Sequence, residues 1–345
     1  MSRERRTGRR GRWAALAAVV ASAALVLAGC GDEGTGNEDA VSDDGKVDLA
    51  KVKLVVGDQK GGSKALLQAA GELDDVPYDI EWKEFTSGPP LLEALNSGAI
   101  HVGGVGNTPP IFAAAAEGEF KAVQAATYGG TGDAIVVPPG SPITSVADLK
   151  GKTVAVAEGS SANFNLLAQL NEAGLKYSDI TVKDLQPPDA LAAFSAGHVD
   201  AWAIWEPFTS QAERDAGAQV IATGKAVVNG YVFQVASDPA LEDPGTEAAL
   251  ADYLGRIGRA QTWSATHPED WSTVWADETG LAPEITLAAV TKREVRVVPI
   301  DDALVESEQG MADTFTENGL LPGEVDLSDF FSEQYNDAVA EAAGA

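Results

Sequence analysis

Lys51-Val52-Lys53-Leu54-Val55-Val56, then Gly57-Asp58-Gln59-Lys60-Gly61-Gly62-Ser63, then Lys64-Ala65-Leu66-Leu67-Gln68-Ala69-Ala70 is a β-branched run, a glycine-rich loop and an alanine- and leucine-rich run in succession. That order reads as strand, loop and helix. The same unit returns as Lys152 to Ala157, Glu158-Gly159-Ser160-Ser161 and a helical stretch from about Asn163 to Ala173. The echo continues, because Leu92-Glu93-Ala94-Leu95-Asn96-Ser97-Gly98-Ala99-Ile100-His101-Val102 matches Leu191-Ala192-Ala193-Phe194-Ser195-Ala196-Gly197-His198-Val199-Asp200. Each is a helix stopped by glycine and followed at once by a strand. Gly62 and Gly98 are 36 residues apart, and Gly159 and Gly197 are 38 apart. Two similar lobes explain this most simply. Two ordinary β-α-β stretches that share turn chemistry would also look alike.

Outward from these units, strands alternate with helices, which predicts an α/β fold of mostly parallel open sheets flanked by helices. The loops at the carboxyl ends of the strands then gather at one rim of each lobe, and facing rims make a ligand cleft. The predicted division is lobe 1 over residues 47–134 and 231–345 and lobe 2 over 135–230. Asp133 to Val137 and Gly230 to Val235 flank the second unit as the crossing strands, and the largely helical remainder from Glu242 packs back on lobe 1.

The first 12 residues hold six arginines and one acid, and Trp13 to Ala28 is an unbroken apolar or small run of about 16 residues, too short for a permanent membrane span. It ends in Leu27-Ala28-Gly29-Cys30, which resembles a bacterial lipobox. The resemblance implies cleavage of residues 1–29 and lipidation of Cys30, the chain's one cysteine. Arg9-Arg10 also fits a twin-arginine signal, so the export route stays open. Residues 30–46 are acidic and polar and are expected to form a solvated tether. The whole chain carries 24 basic and 52 acidic side chains, and the exported part 18 and 51, a charge of −33. Nucleic acid is excluded as a partner by that sign.

Gly61-Gly62-Ser63, Thr86-Ser87-Gly88, Asn107-Thr108 and Gly159-Ser160-Ser161 each precede a helix and carry hydroxyls, amides or bare backbone N–H groups. Converging, they would hold an oxyanion without a salt bridge; singly, each reads equally as a helix cap. Lys60 either adds charge at the rim or is simply solvated. Trp205 ends a strand and faces either the cleft or the core, with Trp202 on the opposite face. Trp263, Trp271 and Trp275 fall at helical spacing and are assigned to packing. The three histidines, His101, His198 and His267, lack metal-ligand spacing, no metal or cofactor is expected, and there is no nucleophile elbow, P-loop or dinucleotide fingerprint. Glu158 and Glu206 are the one carboxylate pair that would serve a cell-surface hydrolase.

These loops resemble a family. Gly57-Asp58-Gln59-Lys60-Gly61, Glu84-Phe85-Thr86-Ser87-Gly88-Pro89, Leu91-Leu92-Glu93-Ala94-Leu95, Gly106-Asn107-Thr108-Pro109-Pro110-Ile111-Phe112-Ala113, Asp148-Leu149-Lys150-Gly151-Lys152, Glu158-Gly159-Ser160-Ser161 and Asp200-Ala201-Trp202-Ala203-Ile204-Trp205-Glu206-Pro207 together are similar to periplasmic-binding-protein-type solute receptors of ABC importers, the aliphatic sulfonate-binding branch in particular. The resemblance covers about residues 52–330. It implies a type II two-lobed fold and a monomeric, lipid-anchored extracytoplasmic receptor that serves a membrane permease. It places the sulfonate at Gln59, Lys60, Gly61, Gly62, Ser87, Gly88, Asn107, Thr108, Gly159, Ser160 and Ser161, with Trp205 near the organic tail; Thr86 and Glu206 are further ligand-binding candidates. Relatives bind taurine, nitrate, bicarbonate or thiamine-precursor pyrimidines, so another small anion or a heteroaromatic solute is the alternative ligand. His101 stands where relatives usually carry an acid, and the Cys-rich signature of the pyrimidine-synthesising enzymes is missing.

Overall fold

The computed structural model describes residues 36–293 and 295–344. The chain first builds β1 (Lys53–Gln59), α1 (Ser63–Ala69), β2 (Asp79–Phe85), α2 (Gly88–Asn96), β3 (Val102–Gly106), α3 (Thr108–Ala115) and β4 (Phe120–Thr127). It then crosses into β5 (Asp133–Val137), β6 (Thr153–Val156), α4 (Ser161–Glu172), β7 (Thr181–Asp184), α5 (Pro187–Ser195), β8 (Ala201–Trp205), α6 (Phe208–Ala216) and β9 (Gln219–Thr223). It returns through β10 (Tyr231–Ser237) to α7 (Asp238–Glu242), α8 (Pro244–Ser264), α9 (Pro268–Thr279), α10 (Pro283–Thr291), β11 (Arg296–Val298), α11 (Asp302–Glu317) and α12 (Asn336–Ala343).

Two sheets result, one in the order β11-β4-β10-β3-β1-β2 and the other β7-β6-β8-β5-β9. The repeat is visible in them: β2-β1-β3 and β7-β6-β8 are parallel triplets in matching positions, each followed by one crossing strand. Gly98 and Gly197 stop α2 and α5 at φ of 72° and 71°, a conformation that costs a side chain about 1 kcal/mol or more.

The sheets are mixed rather than mostly parallel. β5 runs antiparallel to β8 and β9, and β10 antiparallel to β3 and β4. The reason is where each crossing strand enters. Asp133 pairs with Trp205, the last residue of β8, and Val232 pairs with Gly106, the last of β3. A strand that joins at the carboxyl rim has to run back down the sheet. β5 spans Asp133–Val137, where the crossing strand was expected.

The C-terminal helices do more than cover the first sheet. Tyr253, Leu254 and Ile257 of α8 are buried in a core with Leu54 and Val56 of β1, and Trp271 and Trp275 of α9 join it. α10, in contrast, also meets the second sheet: Lys292, just after it, pairs with Glu206 and Glu213 at 2.8 Å each. Phe112 of α3, Phe164 of α4 and Phe315 of α11 make a second apolar bridge, with ring centroids 5.0 and 5.6 Å apart.

The span expected to be a solvated tether is attached from Asn37 onward. The Asn37 amide accepts from Lys53 N (2.8 Å) and donates to Lys53 O (3.1 Å) and Thr246 Oγ1 (2.8 Å). Ala40 is buried, and Val41 bridges Val47. A single amide that pairs both backbone groups of a strand end is invisible to composition. Cys30 and the leader lie outside the described residues.

Candidate functional site

A cavity of about 570 Å³ lies where the rims of the two sheets face each other. Its wall takes Gln59 to Ser63 from the end of β1, Thr86 and Gly88 from the end of β2, and Gly106 and Asn107 from the end of β3. The second sheet supplies Ser160, Ser161 and Trp205 to Phe208. The crossing segments add Tyr128, Asp133 and Gln234, and the C-terminal part adds Trp271, Trp275 and Arg293.

The expected site residues are therefore mostly brought together, but many of their donors are already used. Asp58, buried, accepts from Ser63 N at 2.7 Å and so caps α1 with a carboxylate; a second anion at that helix end would be repelled. Gly62 N–H bonds Gln59 O, and Gln59 Nε2 bonds Gly104 O at 3.0 Å. Lys60 is exposed at the rim. Ser160 Oγ caps α4, donating to Ala157 O at 2.6 Å and accepting from Asn163 N, while Gly159 N–H bonds Asn163 Oδ1. Gly159 lies under Phe112 and Pro89 rather than in the wall. Ser161 Oγ donates to Asp133 Oδ1 at 2.7 Å.

Thr86 and Ser87 both donate to Gln186 Oε1, at 2.9 and 2.7 Å, so this pair ties the two rims together. Ser87 itself is fully buried and outside the cavity wall. Asn107 Nδ2 donates to Asn229 Oδ1 at 2.7 Å, its Oδ1 accepts from Thr108 Oγ1, and Thr108 is buried behind it. Asn229 in turn donates to Glu308 Oε1 at 2.7 Å. The Asn107 amide thus faces the crossing segment.

Trp205 lines the cavity edge-on to Phe208, ring centroids 6.2 Å apart, and Trp202 is fully buried on the far face with Phe194. Glu206, whose side chain is completely buried, accepts from Lys292 Nζ at 2.8 Å and from Ser210 N at 3.1 Å. Glu158 is exposed and outside the wall, so the carboxylate pair considered for hydrolysis is not assembled. Burial alone would lower the Lys292 pKa; its bonds to Glu206 and Glu213 outweigh that and raise it. Burial also lifts Asp58 to about 7, against the pull of the Ser63 N–H, and Asp133 to about 6, against Ser161 and Arg293.

Three groups were not read from the sequence. Trp271 and Trp275, assigned to packing, stack 5.2 Å apart and present the stack to the cavity. Gly61 sits against Trp275 so closely that a Cβ would lie 1.9 Å from its Nε1. Arg293 completes the wall. Its only advance signal was that Lys292-Arg293 is the one adjacent basic pair after residue 29 in a strongly acidic chain. Among the described residues no group of three or more His, Cys, Asp or Glu side chains is placed to hold a metal ion. His101 is buried and accepts from Val55 N through Nδ1 at 3.1 Å, a structural position.

Residues 79–231 match the NMT1/THI5 like family. The "putative aliphatic sulfonates-binding protein" of Escherichia coli (strain K12) is 37% identical over 278 residues, 79% of this chain and 86% of that one. The chain belongs to the aliphatic sulfonate-binding protein family. Among solved structures, the alkanesulfonate-binding protein SsuA from Xanthomonas axonopodis pv. citri, bound to MOPS, is 33% identical with a TM-score of 0.75, over 81% of this chain and 98% of that one. The periplasmic aliphatic sulphonate binding protein SsuA from Escherichia coli is 35% identical with a TM-score of 0.71, over 81% and 91%. The fold is accordingly the α/β periplasmic-binding-protein type, and these family members are named as binding proteins.

Proposed function

We propose that this chain is the extracytoplasmic receptor of an ABC importer, that it closes its two lobes over a small organosulfonate in the 570 Å³ cavity, and that it hands the ligand to a membrane permease unchanged. The observation that carries this reading is the cavity itself: both rims contribute to one wall that joins polar groups (Gln59, Thr86, Ser161) to aromatic surface (Trp205, Trp271, Trp275). A sulfonate with an apolar tail needs both kinds of surface, and only a ligand touching both lobes favours closure. The family relatives named for sulfonates support the ligand class.

The reading keeps residues 1–29 as a leader, Cys30 as the lipidated residue and the mature receptor as a monomer. Calorimetry of the chain against alkane-1-sulfonates of rising length, taurine, sulfate, nitrate and bicarbonate tests the ligand. Binding of sulfonates with affinity rising with tail length is expected, and binding of nitrate or bicarbonate with none of any sulfonate would discard the ligand class. Trp205→Ala should cost longer tails more than short ones, by about 25 cal/mol for each Å² of lost apolar contact. An equal loss at every length would remove Trp205 from the tail site.

A further inference from the structure

A sulfonate that leaves water for this cavity needs donors or a positive charge in return. The donors expected at the loops are largely spent: Ser63 N–H on Asp58, Gly62 N–H on Gln59, Gly159 N–H on Asn163 and the Asn107 amide on Asn229. Among the described residues the wall also holds carboxylates, Asp58, Glu84, Asp133 and Glu206, against two cations, Lys60 and Arg293. Lys60 is exposed at the rim, whereas Arg293 is half-buried.

The setting of Arg293 is specific. Its guanidinium carbon lies 5.0 Å from the Tyr128 ring centroid and 5.1 Å from that of Trp275, and one terminal nitrogen donates to the Glu206 carbonyl at 2.8 Å. Two rings and a carbonyl fix the plane of the group, and the Glu206 bond occupies one of its five N–H donors. Nor is its charge consumed by Glu206, because that carboxylate is held by Lys292, as is Glu213. Thr131 Oγ1 donates to the Lys292 carbonyl and holds the segment from the crossing side. A planar fork of this kind matches two oxygens of a tetrahedral oxyanion.

We propose that Arg293 is the cationic partner of the ligand's sulfonate and the residue that makes an anionic head group obligatory; this rests on the sulfonate reading above. Because Arg293 follows α10 and reaches the end of β8, the same ion pair would tie the C-terminal helices to the second sheet when ligand is bound.

The test is calorimetry of the full chain with butane-1-sulfonate, for the wild type, Arg293→Lys, Arg293→Gln and the double variant Arg293→Gln/Asp133→Asn. A charge-assisted pair predicts a loss of at least about 30-fold for Arg293→Gln, partial recovery in Arg293→Lys and no recovery in the double variant. Wild-type affinity in Arg293→Gln overturns the proposal. So does wild-type affinity in the double variant, which would make Arg293 the counterion of Asp133 alone. If the wild type ignores butane-1-sulfonate and takes nitrate, the sulfonate reading falls; loss of nitrate in Arg293→Gln then still supports the anion-partner role, and its retention overturns it. Should Arg293→Gln not fold, a crystal structure of the wild type with butane-1-sulfonate decides. A guanidinium nitrogen within about 3.2 Å of a sulfonate oxygen supports the pair, and a bound sulfonate without such a contact overturns it.

Discussion

Ser160 and Ser161 are neighbours in sequence with different work. Ser160 Oγ caps α4, and Ser161 Oγ reaches Asp133 beside the cavity. Ser160→Ala is therefore expected to lower stability by about 1 kcal/mol in urea unfolding while sulfonate affinity holds. A weakened affinity with unchanged stability would return Ser160 to the binding site. Gly61 is similarly constrained twice, by a φ of 76° and by Trp275 at its α-carbon. Gly61→Ala should lower both the melting temperature and ligand affinity, because the Trp275 indole must move. The glycine and serine loops were legible as sequence since each sits at a fixed offset from a helix start. Which donors remain for a ligand was not, since Asp58, Asn163 and Asn229 reach them only in the folded chain.

At the scale of elements, the two rims are held by two devices. Gln186, ahead of α5, accepts from Thr86 and Ser87 ahead of α2. Lys292, after α10, binds Glu206 and Glu213 on either side of the start of α6. Both stabilise the state in which the rims meet. Gln186→Ala should raise the sulfonate dissociation rate by about five- to tenfold, the loss expected for hydrogen bonds of about 1 kcal/mol, with less effect on association. Stopped-flow traces with an unchanged dissociation rate would show that the bridge does not contribute to holding the closed form. The repeated units gave β1, β3, β6 and β8 directly, but not the strands β2, β4, β7, β9 and β11 that complete the two sheets. The antiparallel direction of β5 and β10 did not follow from them, because strand direction depends on which rim the chain enters from.

For the molecule as a whole, buried carboxyls set the pH dependence. Glu308 of α11 is fully buried, accepts from Asn229 at one oxygen and leaves Oε2 without a partner; burial pushes it to about 8. Asp58 and Asp133 are raised by burial to about 7 and about 6. A raised carboxyl keeps its proton in the folded chain after the unfolded chain has released it. The contribution of these three carboxyls is thus fully present below about pH 4 and is lost as pH rises towards 8. Melting temperature should fall across this window, and Glu308→Gln, which mimics the protonated group, should flatten the upper part of the fall and melt above the wild type at pH 8. Parallel curves for the two proteins would show that Glu308 does not titrate there.

The sequence by itself determined the two repeated α/β units, the glycines that end α2 and α5 and the facing loops, because each depends on local spacing and on the period of strand and helix. Only the tertiary structure decided that the loops spend many of their donors on one another, that Trp271 and Trp275 line the cavity while they pack in the core, and that Arg293 stands against two rings in its wall. Those facts depend on contacts between residues up to about 200 positions apart, such as Gly61 against Trp275 and Tyr128 against Arg293. Chain closure over such separations brings side chains together by packing, and no local pattern records it.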